Sequence, residues 1–134
     1  MSAIVKIAGL ALAAAALAGC QTTGRQADGQ RYAVPADHAE VIRAYLRETL
    51  KDPYSVRSAE ISGPAPVFVG LVYGGTRQGI CVRYNAKNSF GAYVGIEEEG
   101  YVFLDGAVWR RMPTMFGSCA GAVWRPFPAL ENMS

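Results

Sequence analysis

The chain has one histidine, His38, and three cysteines, Cys20, Cys81 and Cys119. A lone histidine leaves no HExxH helix, no paired imidazoles and no Cys/His cluster at zinc-ligand spacing. A GxSxG elbow is missing as well. Gly74-Gly75-Thr76-Arg77-Gln78-Gly79 fits neither a Walker A loop nor a dinucleotide fingerprint. Charged residues make up 18% of the chain and nearly cancel at +2, so the basic excess of a nucleic-acid binder is absent. Carboxylates such as Glu60 and Asp105 stand at no spacing that supports paired acid–base work. With no recognisable nucleophile–base pair, the expectation is a protein that is not an enzyme and uses no cofactor and no metal.

What is present begins with an address. Residues 1–19 carry one charged side chain, Lys6, and no acid, and Ile7 to Ala18 form an apolar run. That is the length of a secretory h-region and too short to span ~30 Å of hydrocarbon comfortably. The run closes on Leu17-Ala18-Gly19-Cys20, which resembles the lipobox of bacterial lipoproteins. The resemblance implies that residues 1–19 are a signal peptide, that cleavage falls before Cys20, and that Cys20 carries a diacylglyceryl thioether and an acylated amine. Two or more acyl chains hold a protein stably on a membrane. In this family an aspartate after the cysteine retains the protein on the inner membrane. Gln21 stands there instead, which implies the outer membrane, on its periplasmic face.

Lipidation of Cys20 leaves Cys81 and Cys119 as an even pair in an oxidising compartment, the pattern of one structural disulfide. A reactive cysteine would need a nearby base, and His38 sits near a helix start.

Residues 20–36 are polar, contain glycine and lack an apolar period, so they read as a flexible tether behind the lipid. The domain is expected over 37–125. Asp37 and Glu40 suggest a capping box. Val41, Ile42, Tyr45, Leu46 and Leu50 then share one face of an amphipathic helix that stops at Asp52-Pro53. Eleven of the fifteen glycines lie between 63 and 121, among β-branched and aromatic residues. Strands are expected at 56–61, 67–73, 80–84, 90–96, 101–104 and 107–111, with a hairpin loop at 74–79. Glu97 to Gly100 reads as a turn with its three carboxylates solvated, and Asp105-Gly106 as a hairpin turn. Pro126-Phe127-Pro128 argues against a further helix, leaving 126–134 as a frayed tail. The fold class is α+β: one N-terminal amphipathic helix on a small antiparallel sheet of about four to six strands.

Two features invite a functional reading. Asn85, Lys87, Asn88 and Ser89 crowd five positions, with Tyr93 close behind. Such side chains can bind a ligand or partner, and they can equally brace their own turn. Gly106-Ala107-Val108-Trp109-Arg110 recurs as Gly121-Ala122-Val123-Trp124-Arg125. The match is too short for a repeat architecture. It describes two similar strands, or a binding or headgroup-contacting edge built on Trp109 and Trp124.

Asp52-Pro53-Tyr54-Ser55, followed by Cys81, Asn85-Ala86-Lys87-Asn88-Ser89, Gly91 and Tyr93, resembles a small domain of uncharacterised proteobacterial lipoproteins and exported proteins. The resemblance covers about half the chain, departs at Ala92, and implies a domain boundary without an activity. The expected role is a lipid-anchored envelope component, structural or protein-binding, attached to the membrane and touching another envelope protein or the cell wall. The alternative is a small-ligand or glycan-binding module that uses the Asn85–Ser89 turn.

Overall fold

A computed structural model describes residues 22–133, with side chains from residue 27 onward. The segment expected to be a signal peptide and Cys20 lie outside the described residues. Three helices, α1 (Thr22–Arg31), α2 (His38–Thr49) and α3 (Pro128–Glu131), accompany five strands. The strands are β1 (Arg57–Gly70), β2 (Gly75–Asn85), β3 (Glu97–Leu104), β4 (Ala107–Pro113) and β5 (Trp124–Pro126). They form one antiparallel sheet in the order β4-β3-β2-β1-β5. The fold is α+β and mostly sheet.

One face of the sheet is covered by α2 and α3. Ile42 and Leu46 of α2 are fully buried against Ile61, Ile80, Val82, Tyr84, Tyr101 and Phe103. Asp37 makes no side-chain cap, so the expected capping box does not form; Glu40 bonds Arg43 at 3.0 Å instead. The opposite face holds a smaller cluster around Val67, Val102 and the disulfide, rimmed by Trp109, Met112 and Trp124.

Several elements differ from the sequence reading. The strands expected at 56–61 and 67–73 are one strand, β1, with a register shift between Ile61 and Pro64. At that shift the buried Ser62 hydroxyl accepts from the Cys81 N–H at 2.9 Å and donates to the Gly63 carbonyl at 2.7 Å. The loop expected at 74–79 is a tighter turn, and pairing resumes at Gly75. Residues 90–96 are loop rather than strand: their apolar alternation is broken by Gly91 and Gly95, both at positive φ (76° and 101°). Glu97–Gly100 is strand rather than turn, paired with β2 from Tyr84↔Glu97 to Cys81↔Gly100.

The C-terminal segment is not a frayed tail. Pro128 opens α3 at a position where its missing N–H costs nothing. Phe127, Leu130 and Met133 are buried, the Phe127 N–H donates to the Ala59 carbonyl at 2.8 Å, and the Ala59 N–H donates to Glu131 Oε1 at 2.7 Å. The flexible tether expected over 20–36 does not hold for its later part: α1 ends at Arg31, and Arg31 and Tyr32 are fastened to the domain. Arg31 bonds Asp105 in bidentate fashion (3.1 and 3.2 Å), and Tyr32 meets Trp109 edge-on with centroids 5.3 Å apart.

The segment between β4 and β5 crosses the second face and then runs beside β1. Its backbone is held by Cys119 N–H to the Pro66 carbonyl (2.7 Å), and the Phe68 N–H donates to Ser118 Oγ (2.8 Å). Cys119 is bridged to Cys81 in the central strand β2, with Cα atoms 5.9 Å apart. This strap covers an edge that would otherwise present free backbone groups.

Candidate functional site

The crowded polar stretch forms a loop at one end of the sheet, between β2 and β3, and the side chains of Asn85 and Asn88 turn back to its backbone. Asn88 Oδ1 accepts from the N–H groups of Phe90 (2.9 Å) and Ala92 (3.2 Å). Asn85 Oδ1 accepts from the Gly95 N–H at 3.1 Å. Lys87 and Tyr93 face each other across an isolated bridge. Asx-type bonding of this kind is the local competition with regular structure that asparagine favours.

Ser55 ties this loop to the end of α2. Its hydroxyl donates to the Asp52 carbonyl (2.8 Å) and accepts from the Lys87 N–H (2.8 Å), while the Tyr93 hydroxyl donates to the Ser55 carbonyl (2.8 Å). Arg57 lies 3.5 Å over the Tyr93 ring and Lys87 Nζ lies 5.5 Å from its centroid. The DPxS element and the Asn-Ala-Lys-Asn-Ser stretch, some thirty residues apart in sequence, are therefore one constellation with Ser55 at its centre. Ser89 is exposed. The loop also presents Phe90, 94% exposed, together with Val94 and Ile96.

Trp109 and Trp124 do not join this site or each other. They lie on β4 and β5, at opposite edges of the sheet. Trp124 sits under Arg83 (4.4 Å to the centroid), and Arg83 pairs with Glu60 at 2.6 Å. Trp109 meets Tyr32 and Tyr73 edge-on, and Arg110 stacks on Tyr73 at 4.0 Å. The repeated pentapeptide has a simple local meaning: Gly106 and Gly121 take positive φ (83° and 70°) in turns just before the strand residues.

The sequence reading missed a polar cluster beside this loop. Glu99, read as part of a solvated turn, points inward from β3. Arg111 of β4 grips both its oxygens (2.7 and 2.8 Å), and the hydroxyls of Tyr101 (2.7 Å) and Tyr84 (3.1 Å) donate to Oε2. Burial, reinforced by the Glu99 carboxylate, holds both phenols above their ordinary value. Burial opposes the Arg111 charge, yet the bond to Glu99 leaves its guanidinium still harder to deprotonate. The only sequence signal was an arginine at the position opposite a strand neighbour, visible once β3 and β4 are paired. A depression of about 310 Å³ lies between the end of α2 and the loop, lined by residues including Leu50, Lys51, Tyr84, Lys87, Val94 and Arg111.

The raised phenols set an alkaline limit. Above about pH 10 the unfolded chain loses phenolic protons that the folded chain keeps, so stability present below that pH is lost as pH rises. Each of Tyr84 and Tyr101 is expected to contribute a slope of about 0.7 kcal/mol per pH unit near pH 10, rising toward about 1.4 above pH 11. Urea unfolding across roughly pH 9 to 11 measures it. Tyr84→Phe should flatten the slope, and an unchanged slope would show that this phenol ionises freely in the fold.

Among the described residues no group of three or more His, Cys, Asp or Glu side chains is placed to hold a metal ion, and no helix is long and apolar enough to cross a membrane. No family model, no curated protein and no solved structure matches the chain.

Proposed function

We propose that this is a lipid-anchored envelope protein, held through Cys20 on the periplasmic face of the outer membrane, that engages another envelope protein through its 85–96 loop. The observation that carries the reading is an internally hydrogen-bonded loop with an apolar display. Its polar side chains brace it from within, while Phe90, Val94 and Ile96 are exposed. Large apolar side chains held out on a fixed backbone suit a protein contact, where preorganisation lowers the ordering cost of binding. The glycan alternative draws on Asn85 and Asn88, whose side-chain oxygens are engaged inside the loop.

Two experiments test it. Cys20→Ser is expected to leave an unprocessed precursor or release the protein from membranes, read by fractionation and mass measurement. Fully processed, membrane-bound Cys20→Ser protein would sink the anchor. A photoreactive residue at Phe90 should cross-link in living cells to a discrete protein, whereas one at exposed Glu48 on α2 should not. Phe90→Asp should abolish binding of that protein without altering thermal stability, because surface changes of this kind leave stability within about 0.5 kcal/mol. Retention of wall glycan by the wild type, with no protein cross-link at Phe90, would favour the glycan reading instead.

A further inference from the structure

The sheet has two ends, and the 85–96 loop occupies only one. β2 and β3 pair from Ile80↔Tyr101 to Tyr84↔Glu97. The start of β2 therefore lies beside the end of β3. The β1–β2 tip and the Asp105-Gly106 turn share the far end.

That far end carries an uncovered apolar tip. Leu71 and Val72 are 85% and 91% exposed, side by side on a short 3₁₀ turn between glycines at positive φ, Gly70 (97°) and Gly74 (98°). Behind the tip stands an aromatic cluster: Tyr73 and Tyr32 each meet Trp109 edge-on, with centroids 5.7 and 5.3 Å away. Two cations are laid across these rings. Arg77 lies 3.8 Å over Tyr32 and donates through Nε to the Tyr73 carbonyl at 3.0 Å, and Arg110 lies 4.0 Å over Tyr73. Residues 70–77 contain no acid, and the nearby Asp105 is engaged by Arg31. An apolar tip, then tyrosine and tryptophan, then arginine, is the order in which a membrane surface passes from acyl chains to anionic headgroups.

The chain also enters the domain here. Arg31 is fastened to the 105–106 turn through its side chain and through Asp105 N–H to its carbonyl (2.7 Å), and Tyr32 lies in the aromatic cluster. Cys20 stands twelve residues before Tyr32. That length spans at most about 40 Å, and less where α1 is helical.

We infer that the β1–β2 tip is a second membrane contact: Leu71 and Val72 enter the bilayer surface, Tyr73, Trp109 and Tyr32 lie at the headgroup level, and Arg77 and Arg110 face lipid phosphates. The inference rests on the lipid-anchor reading for its orientation. Anchor and tip together set the sheet end-on to the membrane and direct Phe90 away from it, toward the periplasm.

The test uses the full-length protein as processed by the cell, reconstituted into vesicles of phosphatidylethanolamine and phosphatidylglycerol. Val72→Cys and Phe90→Cys variants each carry an environment-sensitive fluorophore, and brominated lipids serve as the quencher. The label at 72 should shift to the blue and lose roughly half its emission to bromolipid, while the label at 90 keeps a water-like spectrum. A label at 72 that bromolipid leaves unquenched overturns the inference; if it is nonetheless shielded from an aqueous quencher, a second copy of the chain covers the tip. The mass of the processed chain reports acylation of Cys20 separately. Quenching at 72 in an unacylated protein would uphold the tip and overturn only the anchor.

Discussion

Loss of the Cys81–Cys119 bridge is expected to lower the unfolding free energy by about 4 kcal/mol, the chain-entropy value for a loop closed across 38 positions. That is a large share of the roughly 5–15 kcal/mol that holds a domain of this size. The bond matters because of what it fastens. The strap from β4 to β5 makes few regular ladder bonds, and Phe116 (φ 50°) and Cys119 (φ 64°) sit in the left-handed region that non-glycine residues avoid. Beyond the bridge, the strap is held to β1 by two backbone bonds (Cys119 N–H to the Pro66 carbonyl and Gly63 N–H to the Val123 carbonyl), by the Phe68 N–H donating to Ser118 Oγ, and by Phe116 against Phe68. Urea unfolding with and without reductant, beside a Cys81→Ala/Cys119→Ala protein, measures the effect. A loss below about 1 kcal/mol would show that those contacts suffice without the bridge.

Glu99→Ala is expected to cost about 3 kcal/mol, the lower end of what breaking a buried ion pair costs, because Glu99 and Arg111 retain some exposure. Truncation leaves the Arg111 charge and the hydroxyls of Tyr84 and Tyr101 without their common acceptor. The penalty lies in the orphaned partners, so an apolar pair, Glu99→Leu with Arg111→Met, should recover most of it. Denaturation of the single and double variants closes the cycle. A double variant as unstable as the sum of the singles would show that the two side chains act independently. Both predictions concern the sheet behind the 85–96 loop, since β2 and β3 hold the loop at its two ends.

The polar loop shows where sequence reading is strong and where it stops. Asn85 and Asn88 bond backbone within ten residues of themselves, so their bracing role was visible in residue type and spacing. Ser55 is different: its bond to Asp52 is local, but its contacts with Lys87 and Tyr93 reach across more than thirty positions. The alternation of Phe90, Ala92, Val94 and Ile96 satisfied a strand pattern, yet Gly91 and Gly95 at positive φ break the extended backbone between them. The triple glutamate argued for a turn, yet strand pleating sends alternate side chains to opposite faces, and Arg111 receives the one that points inward.

The amino-acid order alone determined whatever depends on near neighbours or on counting. The turn at Asp105-Gly106 follows from residues that accept positive φ (50° and 83°). The pairing of Cys81 with Cys119 follows from an even count once Cys20 is set aside. The antiparallel sheet follows from short β-rich runs between turn residues. Tertiary structure decided the rest: the inward course of Glu99, the docking of the C-terminal helix, the separation of Trp109 from Trp124, and the division of the sheet into an end that receives the N-terminal chain and an end that presents Phe90. Each of these depends on which distant segment lies alongside. Burial and hydrogen bonding are totals over all neighbours, and a linear pattern reports only those along the chain.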